Sequence, residues 1–377
     1  MRYFPAPLRL RIQVLIAAAL LSAASAPSQQ RTARRPIVRA EPAGITPEMR
    51  IVTNHIFANS LRGHVSFLAS DLLEGRDTPS RGLDIAAEYI ASNFRRMGLE
   101  PAIGDSYFQP VPIPARVAKG DRPATTGGTA NNIVGVLRGS DPALKETYVI
   151  ISSHYDHLGI APPDDKRVTG DDRIFNGAND DASGTASVLE IANALASLHP
   201  RPRRSVVVIL FCGEEKGLLG SRYYAAHPLL PLEKTIAQIN MEQMGRTDSP
   251  EKPHVNMMNV TGFDYTTIPA LLTDSGKRVQ IAVVKDDQAS DAYFRRSDNG
   301  PLADAGVPAH TVSVSYEFPD YHAVGDEWQK IDYDNMAHVD QAVGIAMLRL
   351  VSAPTPPKWN DIPATQKFVE AAKKLNP

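Results

Sequence analysis

The sequence predicts an α/β fold in which a mostly parallel, twisted sheet is flanked by helices on both faces. Short runs of β-branched residues alternate with amphipathic segments from residue 131 onward, an alternation typical of parallel sheets covered by helices. One run, SVVVILF at positions 205–211, is almost entirely apolar, as expected for a strand buried on both faces. With 377 residues, 43% of them hydrophobic, the chain can bury the core of one large domain.

The charge balance argues against nucleic acid and against an anionic membrane as partners. The formal net charge is -2 and the pI is near 6.6, and neither value indicates a basic binding surface. Cys212 is the single cysteine of the sequence, so no internal disulfide can form. No feature of the sequence specifies an oligomeric state.

The N-terminal residues have the layout of a secretory signal peptide. Arg2, Arg9 and Arg11 precede an apolar stretch at 12–21, and small residues follow at 22–26. The apolar stretch is too short to span a bilayer. We therefore interpret 1–26 as a signal peptide and the polar segment 27–44 as a linker, and expect a periplasmic or extracellular protein without stable membrane insertion. The alternative is a disordered N-terminus that contains an apolar stretch.

Helical periodicity begins after the linker. Apolar residues recur at helical spacing between Asp84, the predicted N-cap, and Gly98, which occupies the position where a helix commonly ends in a left-handed residue. Residues 108–114 contain three prolines and are predicted to be extended.

Strands and helices then alternate. Only a turn-rich segment separates the two β-branched runs at 132–137 and 148–153, and we expect these runs to form neighbouring strands. The later predicted elements are a helix at 182–198, strands at 205–211, 236–241, 281–285 and 309–314, and a closing helix over 336–350. We assign 45–352 to one domain and 353–377 to a Pro-rich trailer whose short helix is expected to pack loosely.

Polar residues follow the predicted strands at the ends where ligands bind in sheets of this kind. His154, Asp156 and His157 come directly after the strand at 148–153. The Asp156 carboxylate can orient the His154 ring, because residues two apart on an extended chain point to the same side. A structural histidine is an equally good interpretation of this pattern alone, and His157 is a rival metal ligand by spacing.

Carboxylates also lie just before the next predicted helix and just after the strand that follows it. Asp180 and Asp181 precede the helix at 182–198, where either could cap the helix or bind a cation. Glu214 and Glu215 end the run at 205–211; since adjacent side chains point in opposite directions, one can bind a metal while the other accepts a proton from water. Two solvated glutamates are the alternative.

Glu242 ends the strand at 236–241, and Tyr321 and His322 follow the strand at 309–314. Five potential ligands thus gather at strand ends: His154, Asp180, Glu215, Glu242 and His322. A nitrogen and oxygen set without thiolate suits zinc, with manganese or cobalt as substitutes.

Four motifs carry a resemblance to a known family. HYDHLG, NGANDDASG, GEEKGLLGS and DYHAVGDEW occur in this order and resemble those of the di-zinc aminopeptidase family, which includes secreted bacterial leucyl aminopeptidases and glutamate carboxypeptidase II. The similarity extends from about residue 61 to residue 350. The spacing leaves no room for the protease-associated domain that some relatives insert.

The resemblance implies a role for each residue. Asp180 would bridge two zinc ions, His154 and Glu242 would complete one site, and Glu215 and His322 the other. Glu214 matches the general base, Asp156 the carboxylate that orients the first histidine, and Tyr321 a tyrosine that stabilises the developing oxyanion. Glu242 departs from the pattern, because the family usually has the shorter aspartate there.

The implied function is that of a secreted metallo-aminopeptidase acting on peptides with a free N-terminus. A hydroxide shared by two metal ions would attack the scissile carbonyl, and Glu214 would pass the proton to the leaving amine. A related carboxypeptidase or dipeptidase is the enzyme alternative. A non-catalytic binding protein of the same fold is a further alternative, although all ligand positions hold coordinating residues.

Overall fold

The computed structural model describes residues 44–117, 125–168, 170–250 and 252–376. The predicted signal peptide, and the predicted linker apart from Gly44, lie outside the described residues. The described helices are α1 (Pro47–His55), α2 (Ala58–Leu68), α3 (Arg81–Met97), α4 (Gly184–Ala196), α5 (Leu219–Ala226), α6 (Ile268–Arg278), α7 (Asn299–Asp304), α8 (Tyr333–Ser352) and α9 (Gln366–Leu375). Of these helices, none combines the length and the apolar character that crossing a membrane requires.

The described strands form one large sheet and a small two-stranded one. They are β1 (Glu100–Pro101), β2 (Phe108–Ile113), β3 (Gly128–Leu137), β4 (Tyr148–His154), β5 (Gly159–Ile160), β6 (Ile174–Phe175), β7 (Ser205–Phe211), β8 (Thr235–Met241), β9 (Met257–Val260), β10 (Ala282–Val284) and β11 (Ala309–Ser313). The small sheet pairs β5 with β6. Between β2 and β4 the described residues contain β3 and turns, with no inserted domain.

The large sheet runs in the order β1-β3-β7-β4-β8-β11-β9-β10, and β2 also pairs with β3. Its four central strands β7, β4, β8 and β11 are mutually parallel. The pairs of β3 with β1, β2 and β7, and of β9 with β11, are antiparallel. The prediction that β3 and β4 are neighbours is wrong, because β7 lies between them.

Helices cover both faces of the sheet, as the sequence predicts. Along β7 the alternate residues Val206 and Val208 join one buried apolar cluster, which contains residues of α1, α2, α3, α4 and α8. Val207 and Ile209 join a second cluster, with residues of α5, α7 and α9. A strand that buries both sets of side chains must be apolar throughout, which accounts for the composition of 205–211.

Helix α3 begins earlier than its sequence pattern indicates. The Ser80 hydroxyl accepts a hydrogen bond from the backbone N–H of Leu83 at 3.1 Å, so Ser80 is the N-cap and Asp84 lies within the first turn. The C-terminal prediction is correct, since Gly98 follows the helix with φ 69, a conformation that glycine adopts without steric cost.

The C-terminal segment packs firmly, and the expectation of loose packing is wrong. Phe368 of α9 is 1% exposed within the second apolar cluster. The Trp359 ring stacks on it with centroids 4.8 Å apart, and Trp359 donates its ring N–H to the carbonyl of Gly306 at 2.9 Å. The segment therefore covers apolar surface beside α7.

Candidate metal centre

The predicted site residues converge beyond the carboxyl ends of the parallel strands. His154 is the last residue of β4, and Glu242 directly follows β8. Glu214 and Glu215 follow β7 by three and four positions. Because β7, β4 and β8 are adjacent and parallel, their ends meet at one edge of the sheet, where ligands of open α/β sheets bind.

Asp180 lies at the centre of this group. One carboxylate oxygen, Oδ1, is 3.2 Å from Nε2 of His154, and the other, Oδ2, is 3.1 Å from Nε2 of His322. Each oxygen thus faces a different histidine. This is the arrangement required of a carboxylate that bridges two cations.

Capping of helix α4 is the alternative role for Asp180, but the neighbouring Asp181 performs it. Oδ1 of Asp181 accepts a hydrogen bond from the backbone N–H of Gly184, the first residue of α4, at 3.0 Å. The same oxygen accepts from the backbone N–H of Gln243 at 3.0 Å. Asp181 therefore serves the helix and the loop after β8, which leaves the Asp180 carboxylate available.

Glu215 faces two histidines. Its Oε2 is 3.3 Å from Nε2 of His322, and its Oε1 is 2.8 Å from Nδ1 of His157. The sequence leaves His157 as a rival ligand, and the fold brings it to this position. The His157 and His322 rings meet edge to face with centroids 5.7 Å apart.

Two sets of donor atoms have the spacing needed to hold a metal ion. One set comprises His154, Asp180 and Glu242, and the other His157, Asp180 and Glu215; within each set the donor atoms lie within 4.8 Å of one another. Nε2 of His154, both ring nitrogens of His157, Oε1 of Glu215 and Oε2 of Glu242 are buried without a hydrogen-bond partner. Since buried polar atoms are normally partnered, the donor set fits divalent cations with nitrogen and oxygen ligands.

Charge and burial distinguish the three glutamates. Burial, followed by the charges of Glu242 and Glu215, raises the pKa of Glu214 well above its ordinary value. Burial also raises the pKa of Glu242, to about 7, with Asp180 adding to the effect. For Glu215 burial acts in the same direction, but the contacts with His157 and His322 prevail and lower the pKa to about 2.

Asp156 contacts both His154 and the loop that carries Glu214. Nδ1 of His154 hydrogen-bonds the backbone carbonyl of Asp156 at 3.1 Å, whereas the Asp156 carboxylate is 3.6 Å away. Oδ1 of that carboxylate accepts from the backbone N–H of Glu214 at 3.1 Å, and Oδ2 accepts from the Thr78 hydroxyl at 3.0 Å. Asp156 therefore positions the backbone of Glu214 as well as the ring of His154.

Tyr321 lies at the mouth of the site. Its side chain is 40% exposed, and its ring stacks on His322 at 3.9 Å with an interplanar angle of 20°. His322 has φ 54, a left-handed conformation that costs energy for a residue with a side chain. Both residues line a cavity of about 740 Å³ that also contains Asp180, Glu214, Glu215 and Glu242.

Two groups that support the site are not singled out by the sequence pattern. The Arg76 guanidinium is completely buried and donates to the backbone carbonyls of Leu68, Tyr155, Asn176 and Gly177. It thereby joins the loop after β4 to the loop that carries Asp180. The only sequence signal for it is an arginine inside a segment, LLEGRD, without periodicity.

Asn179 is the second such group. Its Oδ1 accepts from the backbone N–H groups of Gly245 and Arg246 at 2.8 and 3.0 Å. The hydroxyl of Ser183, in the same segment, accepts a hydrogen bond from the backbone N–H of Met244 at 2.8 Å. The segment around Asp180 therefore also fixes the loop after β8 that begins with Glu242. Asn179 lies inside the motif NGANDDASG, but its partners are distant in sequence.

The family model described as peptidase family M28 matches residues 132–347. This range includes the metal-site residues described above and makes up more than half of the chain. The chain belongs to peptidase family M28.

Proteins similar in sequence to this chain include probable zinc metalloproteases. One from Leptosphaeria maculans is 33% identical over 170 residues, which cover 43% of this chain and 34% of that relative. One from Pyrenophora tritici-repentis is 24% identical over 352 residues, covering 79% of this chain and 74% of the relative. The first match thus spans about a third of the relative's length.

The fold resembles that of a solved aminopeptidase structure. The aminopeptidase from Aneurinibacillus sp. strain AM-1 superposes with a TM-score of 0.62 at 16% identity, covering 83% of this chain and 98% of that one. At this identity the likeness concerns the fold, and it agrees with the predicted α/β sheet flanked by helices.

Proposed function

We propose that this chain is an exported zinc-dependent aminopeptidase that removes residues from peptides with a free N-terminus. The observation that carries the proposal is that two sets of metal donors share Asp180, and that Glu214 lines the same cavity. The name of the Aneurinibacillus protein, an aminopeptidase, agrees with it. Export rests on the N-terminal sequence alone.

His154, Asp180 and Glu242 would hold one ion, and Asp180, Glu215 and His322 the other. Zinc ions bound there would supply Lewis acidity, which lowers the pKa of a water molecule and polarises a carbonyl group. Manganese or cobalt are expected substitutes, because the donors are imidazoles and carboxylates.

Glu214 acts as the general base. A buried carboxylate that stands beside Glu215 and Glu242 holds a proton more tightly than one in water, so it can accept a proton from water and return it to the leaving amine. Asp156 fixes the backbone of Glu214 through the hydrogen bond at 3.1 Å. This hydrogen bond holds the backbone from which the Glu214 side chain extends into the cavity.

Tyr321 would donate a hydrogen bond from its hydroxyl group to the developing oxyanion. Partial removal of the Tyr321 side chain from water, reinforced by the charges of Asp180 and Glu215, raises its pKa above the ordinary value, so the hydroxyl remains a donor throughout the neutral range. Stacking on His322 restricts its ring. The substrate's α-ammonium group would pair with the carboxylates that line the cavity.

The decisive experiment combines metal analysis with a substrate series. The purified protein should contain two zinc ions per chain and hydrolyse aminoacyl anilides, and acetylation of the substrate's α-amino group should abolish turnover. Hydrolysis of blocked substrates from the C-terminus would favour the carboxypeptidase alternative. A fully metallated protein that acts on neither series would refute the proposal and favour a binding protein.

A further inference from the structure

His157 is a buried histidine whose polar atoms lack ordinary partners. The residue is 0% exposed, and neither ring nitrogen makes a hydrogen bond with any described residue. Nδ1 nevertheless lies 2.8 Å from Oε1 of Glu215, in a contact that is not aligned as a hydrogen bond. Burying an imidazole whose nitrogens have no hydrogen-bond partners is energetically unfavourable, so the position of the ring requires another explanation.

The surrounding backbone holds the ring in this position. A Cβ atom on Gly177 would lie 2.4 Å from Cγ of His157, and Gly177 has φ +56, so a side chain at 177 would displace the ring. The backbone N–H of His157 donates to the carbonyl of Arg76 at 3.2 Å. The loop is thus built to bring the imidazole against Glu215.

We propose that His157 is a metal ligand through Nδ1, in addition to the five residues named above. The proposal rests on the two-ion site of the proposed function. One site then has two imidazoles, from His157 and His322, together with Asp180 and Glu215. The other has a single imidazole, from His154, together with Asp180 and Glu242.

The two sites are consequently unequal. Four protein donors, two of them nitrogen, match the coordination that zinc prefers. The site of His154 has three protein donors, and carboxylates suit magnesium and manganese as well as zinc. The first zinc ion therefore binds at His157 and His322, and the ion at His154 and Glu242 is the one that exchanges readily.

A positioning role is the rival interpretation, in which the Nδ1–H group of His157 merely donates to Glu215. The variant His157→Asn separates the two roles. The asparagine amide nitrogen can occupy nearly the position of Nδ1 and donate to Glu215, but it has no free lone pair for a metal. The variant His157→Ala removes both functions.

The test uses the full-length protein stripped of metal and given one equivalent of zinc. X-ray absorption spectroscopy should find two imidazoles on the bound zinc in the wild type and one in His157→Asn and His157→Ala. Chelator competition should show the first zinc bound about 100-fold more weakly in both variants, by analogy with the loss of residues that support metal ligands. His310→Asn is the control, because His310 is a buried histidine that belongs to neither donor set and whose ring nitrogens are hydrogen-bonded to Thr261 and Thr266.

One imidazole in the one-zinc wild type would overturn the proposal, as would a His157→Asn variant that keeps wild-type affinity. Circular dichroism of each apo-variant establishes that it is folded. If His157→Ala does not fold, the wild-type imidazole count and the asparagine variant still decide the question. A wild type that binds zinc as described but hydrolyses no peptide would refute the proposed function and leave this assignment standing.

Discussion

The carboxylate of Asp326 accepts a hydrogen bond from the backbone N–H of Asp180 at 3.0 Å. It also accepts from the backbone N–H of Asn179, at 2.9 and 3.0 Å to its two oxygens. Asp326 lies four positions after His322 on the same loop. One carboxylate therefore ties the loop that carries His322 to the residue proposed to bridge both ions.

Replacing Asp326 should weaken metal binding without preventing folding. In Asp326→Asn the side chain keeps its size but loses its negative charge, and an NH₂ group replaces one of the two carboxylate oxygens that accept from the backbone N–H groups of Asn179 and Asp180. We expect zinc affinity to fall about 10-fold or more, the scale seen when residues that support metal ligands are changed. Chelator competition measures it, with Asp320→Asn in the same loop as the control. Wild-type affinity in Asp326→Asn would contradict the prediction.

Changing Glu214 should separate chemistry from metal binding. In Glu214→Gln the side chain cannot accept a proton, and kcat should fall at least about 100-fold, the usual contribution of a positioned general base. Zinc content should stay at the wild-type value, because Glu215 and the other ligands are intact. Glu233→Gln, at an exposed glutamate, is the control. Unchanged turnover would remove Glu214 from the mechanism.

Glu242 offers a direct test of side-chain length. Shortening it in Glu242→Asp withdraws the carboxylate by one methylene from a backbone position fixed by the hydrogen bond of the Glu242 N–H to the carbonyl of Val312 at 3.0 Å. We expect the more weakly held zinc to be lost on dialysis about 10-fold more readily, on the scale of other supporting changes at metal sites. Glu242→Gln, which keeps the length but not the charge, is the companion variant. If Glu242→Asp binds both ions as tightly as wild type, the backbone is less constrained than the structure indicates.

Arg76 should be required for assembling the site. Its guanidinium satisfies four backbone carbonyls, and burial lowers its pKa to about 10, so it stays charged at neutral pH. Lysine has three donors from a single nitrogen and cannot reach all four acceptors. Arg76→Lys should therefore lower both thermal stability and zinc affinity, whereas Arg62→Lys on the neighbouring helix should lower neither. Equal zinc affinities of the two variants would argue against a role at the site.

Stability should depend on pH through Asp340, which belongs to neither set of metal donors and does not line the cavity. Burial raises its pKa well above the ordinary 3.8, and its carboxylate accepts from the Ser187 hydroxyl at 2.8 Å. Because the folded state binds this proton more tightly than the unfolded state, the free energy of unfolding is largest below pH 4 for this group and falls as the pH rises.

Asp340→Asn removes that proton equilibrium. The variant should gain stability relative to the wild type as the pH is raised from 5 to 8, as measured by urea unfolding in saturating zinc. Parallel stability curves for the two proteins would show that Asp340 has an ordinary pKa in the folded state.

Much of this architecture can be predicted from local patterns. The apolar run of β7 and the helical spacing in α3 and α8 predict their elements, because burial of a strand or a helix face leaves a periodic record in the sequence. The order of the strands in the sheet produces no such local pattern, which is why the position of β7 between β3 and β4 could not be predicted. The same limit applies to Ser80, whose capping bond depends on where the turn before α3 begins.

For the site, the sequence predicts which residue types gather but not how they pair. The predicted ligands do converge, because parallel strands bring their carboxyl ends together. The contacts of Arg76, Asn179 and Asp326 are made to backbone atoms of segments up to 147 residues away, and backbone atoms are the same at every position. Such partners cannot be read from residue identity.

The burial of Phe368 and Trp359 decides where the chain can be shortened. The closing helix α8 ends at Ser352, which suggests that the chain could be truncated there. Such a truncation would expose the face of α7 and the apolar surface around Tyr265 and Phe294 that Phe368 contacts. Exposed apolar surface of that kind promotes aggregation. A tag or a fusion partner belongs beyond α9, and a protease that removes the last segment would inactivate the protein by making it insoluble, with its metal ligands untouched.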